Sequence, residues 1–189
     1  MREKYQSLFM ESYIKDLQKA IKSISNILKQ YKINFTIIGG AARNQYGYRK
    51  MTEDIDILLA KEDKDKIKNI PIGFLKDESN GRAKVFQLHD PKTRIEIIYD
   101  NEISGDGIHG LKFDNPKNIS HNINGDPYIT LKNLIMYKLS SGIYGKHRFK
   151  DFDDIVELIK INHLKRNYAN DFREDLKNKY ISLWEEIYE

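Results

Sequence analysis

The most constraining feature of this sequence is the run Asp-Ile-Asp-Ile-Leu-Leu at residues 54–59, where acids and isoleucines alternate before two leucines. Side chains two residues apart on a β-strand point to the same face, so a strand here places Asp54 beside Asp56 and sends the intervening isoleucine into a core. Adjacent carboxylates repel, and a divalent cation such as Mg²⁺ relieves that repulsion because it prefers carboxylate oxygens. The run therefore predicts a strand that carries a metal site.

Glu96 is the candidate third ligand. It stands in the run Arg-Ile-Glu-Ile-Ile at residues 94–98, and an acid among three isoleucines is out of place unless it faces a site. If this strand neighbours Asp54 and Asp56, the three carboxylates can hold two metal ions, one at the attacking hydroxyl and one at the leaving phosphate. The alternative is an edge strand on which Glu96 is simply solvated.

A Gly-Gly turn, Gly39-Gly40, precedes the two aspartates. It follows a strand predicted at residues 33–37, extended by Ile38, and leads into a short helix predicted at 41–46. Glycines at such a turn let the backbone approach a phosphate closely, and a helix N-terminus favours anions. The turn is a weak indication by itself, but together with two same-face acids it predicts phosphate–metal chemistry.

The remaining pattern predicts an α+β fold: a small mixed sheet flanked by helices, with a helical C-terminal part. Apolar residues three and four apart indicate an amphipathic helix over residues 5–31. A short helix is predicted at 62–69, a hairpin from strands 83–88 and 94–99, and helices at 131–143, 152–161 and 171–188. Residues 101–129, rich in Gly, Asn, Asp and Pro, predict loops with at most a short strand. Two parts are expected: a core with the N-terminal helix at 1–128, and a helical part packed on it at 129–189.

Composition narrows the function classes. The 189 residues include no cysteine, which excludes disulfides and Cys-ligated metals. The sequence also has no run of about 18 apolar residues, so no membrane-spanning helix is expected. The N-terminus lacks the apolar centre of a secretory signal, so a cytoplasmic protein is expected. A net charge of +4 permits nucleic-acid binding without requiring it.

The motifs together resemble a known superfamily. Ile37-Ile38-Gly39-Gly40 followed by Asp54-Ile55-Asp56 is similar to the signature of polymerase-β-like nucleotidyltransferases, with Glu96 at the third acid. Residues 47–53 resemble a bacterial branch that includes toxin or abortive-infection nucleotidyltransferases and small antibiotic-modifying relatives. The sequence departs from that pattern at Ala41, where Ser is common, and at Glu96, where Asp is usual.

The resemblance extends to two C-terminal segments. Residues 134–139 resemble a helix with a recurrent lysine, here Lys138, and residues 148–155 resemble an Arg/Lys-Asp-x-x-Asp segment that contains Asp151 and Asp154. Lys138 lies on the apolar stripe of its predicted helix, so it either snorkels or faces a buried anion. Beside a phosphate site, a role with the nucleotide phosphates is favoured. The alternative for Asp151 is a helix N-cap, with Asp154 favouring the helix dipole.

The resemblance implies a cleft that binds a nucleoside triphosphate and Mg²⁺ (or Mn²⁺), and transfer of a nucleoside monophosphate to an acceptor with release of pyrophosphate. The expected catalytic and metal-binding residues are Asp54, Asp56 and Glu96. The expected nucleotide-binding residues are Gly39, Gly40, Thr52, Lys138 and Asp154.

The acceptor and partners stay open at this point. An RNA or tRNA end, a protein hydroxyl and a small antibiotic are the candidate acceptors, and an antitoxin or a second copy of the chain is the candidate partner. The excess of Lys and Arg at residues 132–166 leans toward RNA. Two alternatives are a non-catalytic nucleotide- or partner-binding module on the same fold, and a basic RNA-binding domain, against which the lack of a known RNA-binding motif argues.

Overall fold

The computed structural model describes residues 2–67, 70, 76–77, 84–89, 92–105 and 108–188. The helices are α1 (Arg2–Gln30), α2 (Gly39–Gln45), α3 (Lys64–Ile67), α4 (Pro116–Ile119), α5 (Leu131–Tyr144), α6 (Lys150–Ile161) and α7 (Glu174–Tyr188), with 3-10 turns at Lys61–Asp63 and Arg166–Ala169. The strands are β1 (Phe35–Ile37), β2 (Asp54–Leu59), β3 (Lys76–Asp77), β4 (Lys84–His89), β5 (Lys92–Tyr99), β6 (Ser120–Ile123) and β7 (Asp126–Ile129).

The described strands form one mixed sheet in the order β3-β4-β5-β2-β1-β7-β6. The central strand β2 is parallel to β5 and antiparallel to β1, while β1 is parallel to β7. The α+β fold predicted from the sequence is therefore confirmed, and its two acidic strands are direct neighbours near the middle of the sheet.

The alternation that predicted β2 has the expected physical basis. Ile55 and Ile57 are fully buried, whereas Asp54 and Asp56 on the opposite face are only partly buried. Helix α1 buries its own apolar stripe, formed by Leu17, Ala20, Ile21, Ile24 and Leu28. These residues share one hydrophobic core with residues of the C-terminal helices. The boundary between residues 128 and 129 stays a prediction.

The expectation of loops over residues 101–129 is wrong. This segment contains α4 and a hairpin of β6 and β7 in which Ile123 pairs with Asp126 across Asn124-Gly125. Both turn residues have positive φ angles, 53° and 90°, and an Asn-Gly pair favours such a tight hairpin turn because both residues adopt positive φ readily. The abundance of turn-forming residues hid two short strands.

Most other elements agree with the sequence pattern. The strand at 54–59 and the C-terminal helices are confirmed, and β4 and β5 form the predicted antiparallel pair, although residues 90 and 91 between them lie outside the described part. The helix predicted at 62–69 is a 3-10 turn followed by α3, with residues 68 and 69 outside the described part. None of the described helices is both long and apolar enough to cross a membrane.

Candidate active site

The three predicted acids meet on one face of the sheet. Asp56 is directly opposite Glu96 in the register of β2 and β5, and one carboxylate oxygen from each of Asp54, Asp56 and Glu96 can be chosen so that all lie within 4.8 Å of one another. Strand β5 is hydrogen-bonded on both sides, to β4 and β2, so Glu96 is not on an edge strand. The alternative of a solvated edge residue is therefore wrong, and the expected neighbourhood of the acids is confirmed.

Charge compensates the carboxylates only in part, although Arg94 Nη2 lies 2.7 Å from Glu96 Oε1. Burial and the negative charges of Asp54 and Asp56 together raise the pKa of Glu96 to about 7, against the opposing effect of Arg94. Burial and the charge of Asp54 together raise the pKa of Asp56 to about 6. Three carboxylates held this close together fit a divalent cation such as Mg²⁺ or Mn²⁺.

The Gly-Gly turn holds Asp56 in place. Gly39 has a φ of +61°, and a Cβ atom there would lie well under 3.0 Å from the Asp56 carboxylate. The backbone N–H of Gly40 donates to that carboxylate, which lowers its pKa less than burial raises it. A Cβ atom on Gly40 would meet Thr52 Oγ1 at 2.5 Å. Two close approaches, to Asp56 and to Thr52, thus require the glycines.

Lys138 lines the same cavity as Asp56 and Glu96. Its Nζ donates to Asp151 Oδ1 at 2.8 Å and to Asp154 Oδ2 at 2.7 Å, and its positive charge lowers the pKa of Asp56. An ammonium group has three donors, so these two contacts leave one for a ligand. The lysine is therefore neither snorkelling nor free: it faces buried anions supplied by the protein itself.

Asp151 and Asp154 are both buried, and each binds more than one cation. The N-cap of α6 is Phe149 and the helix begins at Lys150, so the alternative interpretation of Asp151 as an N-cap is wrong. Asp151 Oδ2 accepts a hydrogen bond from Arg148 Nε at 3.0 Å. Burial raises the pKa of Asp151, but the positive charges of Lys138 and Arg148 outweigh that effect and hold the pKa below its usual range. Asp154 does not line the cavity, so a direct contact with nucleotide stays a prediction.

Sequence reasoning missed Arg43, which is the second cation bound to Asp154. Its Nη1 lies 3.2 Å from Asp154 Oδ2, its Nη2 donates to the carbonyl of Lys50 at 2.7 Å, and the side chain is buried. Arg43 therefore ties α2 to α6 and to the segment before β2. An arginine that follows two alanines in a short helix was the available indication.

A cavity of about 670 Å³ opens onto the acids. The cavity lining includes the acids Asp56 and Glu96 and the cations Lys138 and Arg148. Arg148 donates its Nε–H to Ser141 and Asp151, and within the described part of the chain its terminal nitrogens make no hydrogen bond. Apolar side chains supply about half of the remaining lining, namely Ile38, Ile98, Ile103, Ile108, Phe113, Ile129 and Leu134, and polar side chains such as Glu102 and Asp151 belong to it as well. The cavity thus brings two of the clustered acids and two cationic side chains into one lining, a combination that suits a metal-bound polyphosphate.

The sheet topology and the acid cluster beside the Gly-Gly turn define a nucleotidyltransferase-like fold. The chain is similar to an antigenic nucleotidyltransferase-like protein from Paracoccidioides brasiliensis, at 16% identity over 91% of this chain and 88% of that one, with a TM-score of 0.59. It is similar to ANT(2″)-Ia in complex with adenylyl-2″-tobramycin, at 12% identity over 88% and 99% of the two chains, with a TM-score of 0.54. JHP933 from Helicobacter pylori is 19% identical over 90% and 78%, with a TM-score of 0.49.

The two structural similarities with TM-scores above 0.5 show the fold alone, and they leave the toxin or abortive-infection branch unconfirmed. No protein-family model and no curated protein sequence matches the chain.

Proposed function

We propose that this protein is a metal-dependent nucleotidyltransferase that moves a nucleoside monophosphate from a nucleoside triphosphate to a hydroxyl acceptor. The observation that carries the proposal is the meeting of Asp54, Asp56 and Glu96 on one face of β2 and β5, beside the turn at Gly39. The ANT(2″)-Ia structure holds an adenylylated acceptor, and its similarity in fold supports the same class of transfer.

The acidic cluster would hold one or two divalent cations, Mg²⁺ or Mn²⁺. When bound, such cations neutralise triphosphate charge and lower the pKa of the attacking hydroxyl. Glu96 is the candidate acceptor of that hydroxyl's proton, since it faces the cavity and its pKa is already raised toward neutrality. Asp54 and Asp56 orient the reacting groups for in-line attack on the α-phosphorus.

The two cationic side chains of the cavity lining complement the leaving pyrophosphate. Lys138 has one donor left after its contacts with two aspartates, and Arg148 lines the cavity while its Nε–H is given to Ser141 and Asp151. Gly39, Gly40 and Thr52 are proposed to cradle the triphosphate. Asp154 serves the nucleotide through Lys138, whose ammonium group it holds in place.

The acceptor is proposed only as a class, a hydroxyl on an RNA or tRNA end, on a protein or on a small molecule. A role in a toxin–antitoxin or phage-defence system, with an antitoxin or a second copy as partner, belongs to the same proposal, as does a cytoplasmic location. Resemblance to the bacterial branch supports these roles, and the excess of Lys and Arg at residues 132–166 favours an RNA acceptor.

The test is incubation of the protein with each of the four α-³²P-labelled nucleoside triphosphates and Mg²⁺ or Mn²⁺. Total RNA, a protein extract and a panel of aminoglycosides are offered in separate reactions. Label transferred to one pool, with pyrophosphate released, is the expected result, and an Asp54→Asn/Asp56→Asn variant should lose both. Transfer retained by that variant, shown to be folded, contradicts the proposal. Metal-dependent nucleotide binding without transfer to any pool would favour the non-catalytic module instead.

A further inference from the structure

Tyr13 of α1 makes a two-way contact with the segment that leads into the acidic strand. Its hydroxyl accepts a hydrogen bond from the Thr52 backbone N–H at 2.8 Å and donates one to the Thr52 carbonyl at 3.0 Å. Helix α1 lies outside the residues that carry the superfamily resemblance. A single side chain from that helix therefore satisfies both backbone groups of Thr52, which is 39 residues away.

Thr52 in turn contacts residues of the acidic site. Its Oγ1 donates to the carbonyl of Asp54 at 3.1 Å, and Gly40 packs closely on the same hydroxyl. Residues 46–53, which connect α2 to β2, form no helix or strand. The backbone of Thr52 has no hydrogen-bonded ladder to fix it, so the Tyr13 hydroxyl sets its position and, through it, the position at which Asp54 enters the strand.

Tyr13 is itself well anchored. It packs against the hydrophobic core, and Leu17, four residues further along the same helical face, is buried in that core. Burial of the α1 stripe fixes the helix, and the short Tyr side chain has few rotamers to explore. The hydroxyl is thus presented to Thr52 from a rigid element.

We propose that Tyr13 is a positioning residue for the metal-binding acids: it holds Thr52 so that Asp54 joins Asp56 and Glu96 in one ligand set. This inference rests on the proposed function, because it assumes that the acids bind a divalent cation. Within the described part of the chain, Tyr13 does not line the cavity and its hydrogen bonds go to Thr52, so it acts through Thr52.

The test compares Tyr13→Phe with Tyr31→Phe. Both changes delete one hydroxyl from a partly buried tyrosine that packs on the core, but Tyr31 directly follows the far end of α1, away from Thr52. Mn²⁺ affinity is measured without nucleotide, by electron paramagnetic resonance titration. Tyr13→Phe removes both hydrogen bonds to Thr52. The net contribution of one hydrogen bond corresponds to about a fivefold change in an equilibrium constant, and we expect a loss of about this size in metal binding, so Tyr13→Phe should bind Mn²⁺ about 3–10-fold more weakly while Tyr31→Phe stays within about twofold of wild type.

A second measurement separates positioning from stability. Amide hydrogen exchange at Thr52 should accelerate in Tyr13→Phe alone, since its N–H loses its acceptor. Equal Mn²⁺ affinity in the two variants, with wild type binding Mn²⁺, overturns the role of Tyr13 and leaves the proposed function standing. A wild-type protein that binds no Mn²⁺ contradicts the proposed function itself, and shows this before any variant is compared.

Discussion

Gly39 and Asp56 are so close that no side chain fits between them. A Cβ atom on Gly39 would overlap the Asp56 carboxylate, and Gly39 also has a positive φ of +61°. The position of the turn and that of the candidate metal ligand Asp56 therefore depend on each other. Glycine is required at residue 39 both by the space that Asp56 occupies and by the positive φ of the backbone.

Replacement of Gly39 by Ala should weaken metal binding strongly while the protein stays folded. We expect Mn²⁺ affinity to fall at least about tenfold, because the carboxylate must move, and the free energy of unfolding to fall by about 1–3 kcal/mol. The control is Gly125→Ala, where φ is +90° and the added Cβ meets only Lys22 Nζ at 3.3 Å. That control carries a comparable backbone cost, so similar Mn²⁺ affinities in the two variants would show that contact with Asp56 is unimportant.

The metal-free protein should lose stability as the pH rises from about 4 to about 7. Unfolded carboxyl groups titrate near pH 4, whereas the folded pKa values are about 6 for Asp56 and about 7 for Glu96. Within this window the folded protein binds more protons than the unfolded chain, so raising the pH lowers the free energy of unfolding. Solvent screening of these partly exposed carboxyl groups reduces the effect, and we expect a fall of about 1–3 kcal/mol in total.

Urea unfolding at several pH values, with chelator present, checks this trend. Asp56→Asn removes part of the pH dependence, while Asp153→Asn, at an exposed position on α6, should leave it unchanged. Saturating Mn²⁺ should restore stability at high pH, since a cation bound only to the folded protein stabilises it. A pH dependence that is identical in wild type and Asp56→Asn would contradict the raised pKa.

Glu96→Gln should separate catalysis from nucleotide binding. If Glu96 accepts the proton of the acceptor hydroxyl, the amide lowers kcat by about 10²–10⁴-fold while KM for the nucleotide changes little. Glu157→Gln, on the partly exposed surface of α6, is the matched control. Steady-state kinetics with the acceptor found in the labelling experiment gives both constants. A rise in KM at unchanged kcat would instead give Glu96 a role in binding alone.

Asp154→Asn should destabilise the protein strongly. Asp154 is buried between Arg43 and Lys138, and removing one charge from such a cluster leaves the others uncompensated, at a cost of about 3–5 kcal/mol. Asp171→Asn breaks an exposed ion pair with Lys132 and should cost less than about 1 kcal/mol. Urea denaturation measures both variants. A fully stable Asp154→Asn that has lost nucleotide affinity would favour direct contact with nucleotide.

The sequence predicted the acid cluster because each part of it has a local pattern. Alternation along residues 54–59 placed two acids on one face, and the isoleucines around Glu96 indicated that its exposure needed a reason. The Asn124-Gly125 hairpin also has a local sequence pattern, a turn-forming pair between two short strands. The abundance of other turn-forming residues in this segment predicts loops and so conceals that pattern. Roles in nucleotide binding for Gly39, Gly40, Thr52, Lys138 and Asp154 stay predictions.

The partners of the buried charges could not be predicted in the same way. Arg43 and Asp154 are 111 residues apart, and Tyr13 and Thr52 are 39 apart, so no periodicity relates them. Lys138 is expected from the sequence to act on nucleotide phosphates, which stays a prediction, and the sequence could not show that two of its donors go to aspartates of the next helix. Such contacts depend on how α1, α2, α5 and α6 pack.

The sequence by itself determined that Asp54 and Asp56 share a face, because side-chain direction along a strand follows from backbone geometry over two residues. Only the tertiary structure decided that Glu96 joins them, since the parallel pairing of β2 with β5 is set by burial of the whole sheet and not by any local pattern. It also decided that Lys138 and Arg148 line the same cavity as Asp56 and Glu96.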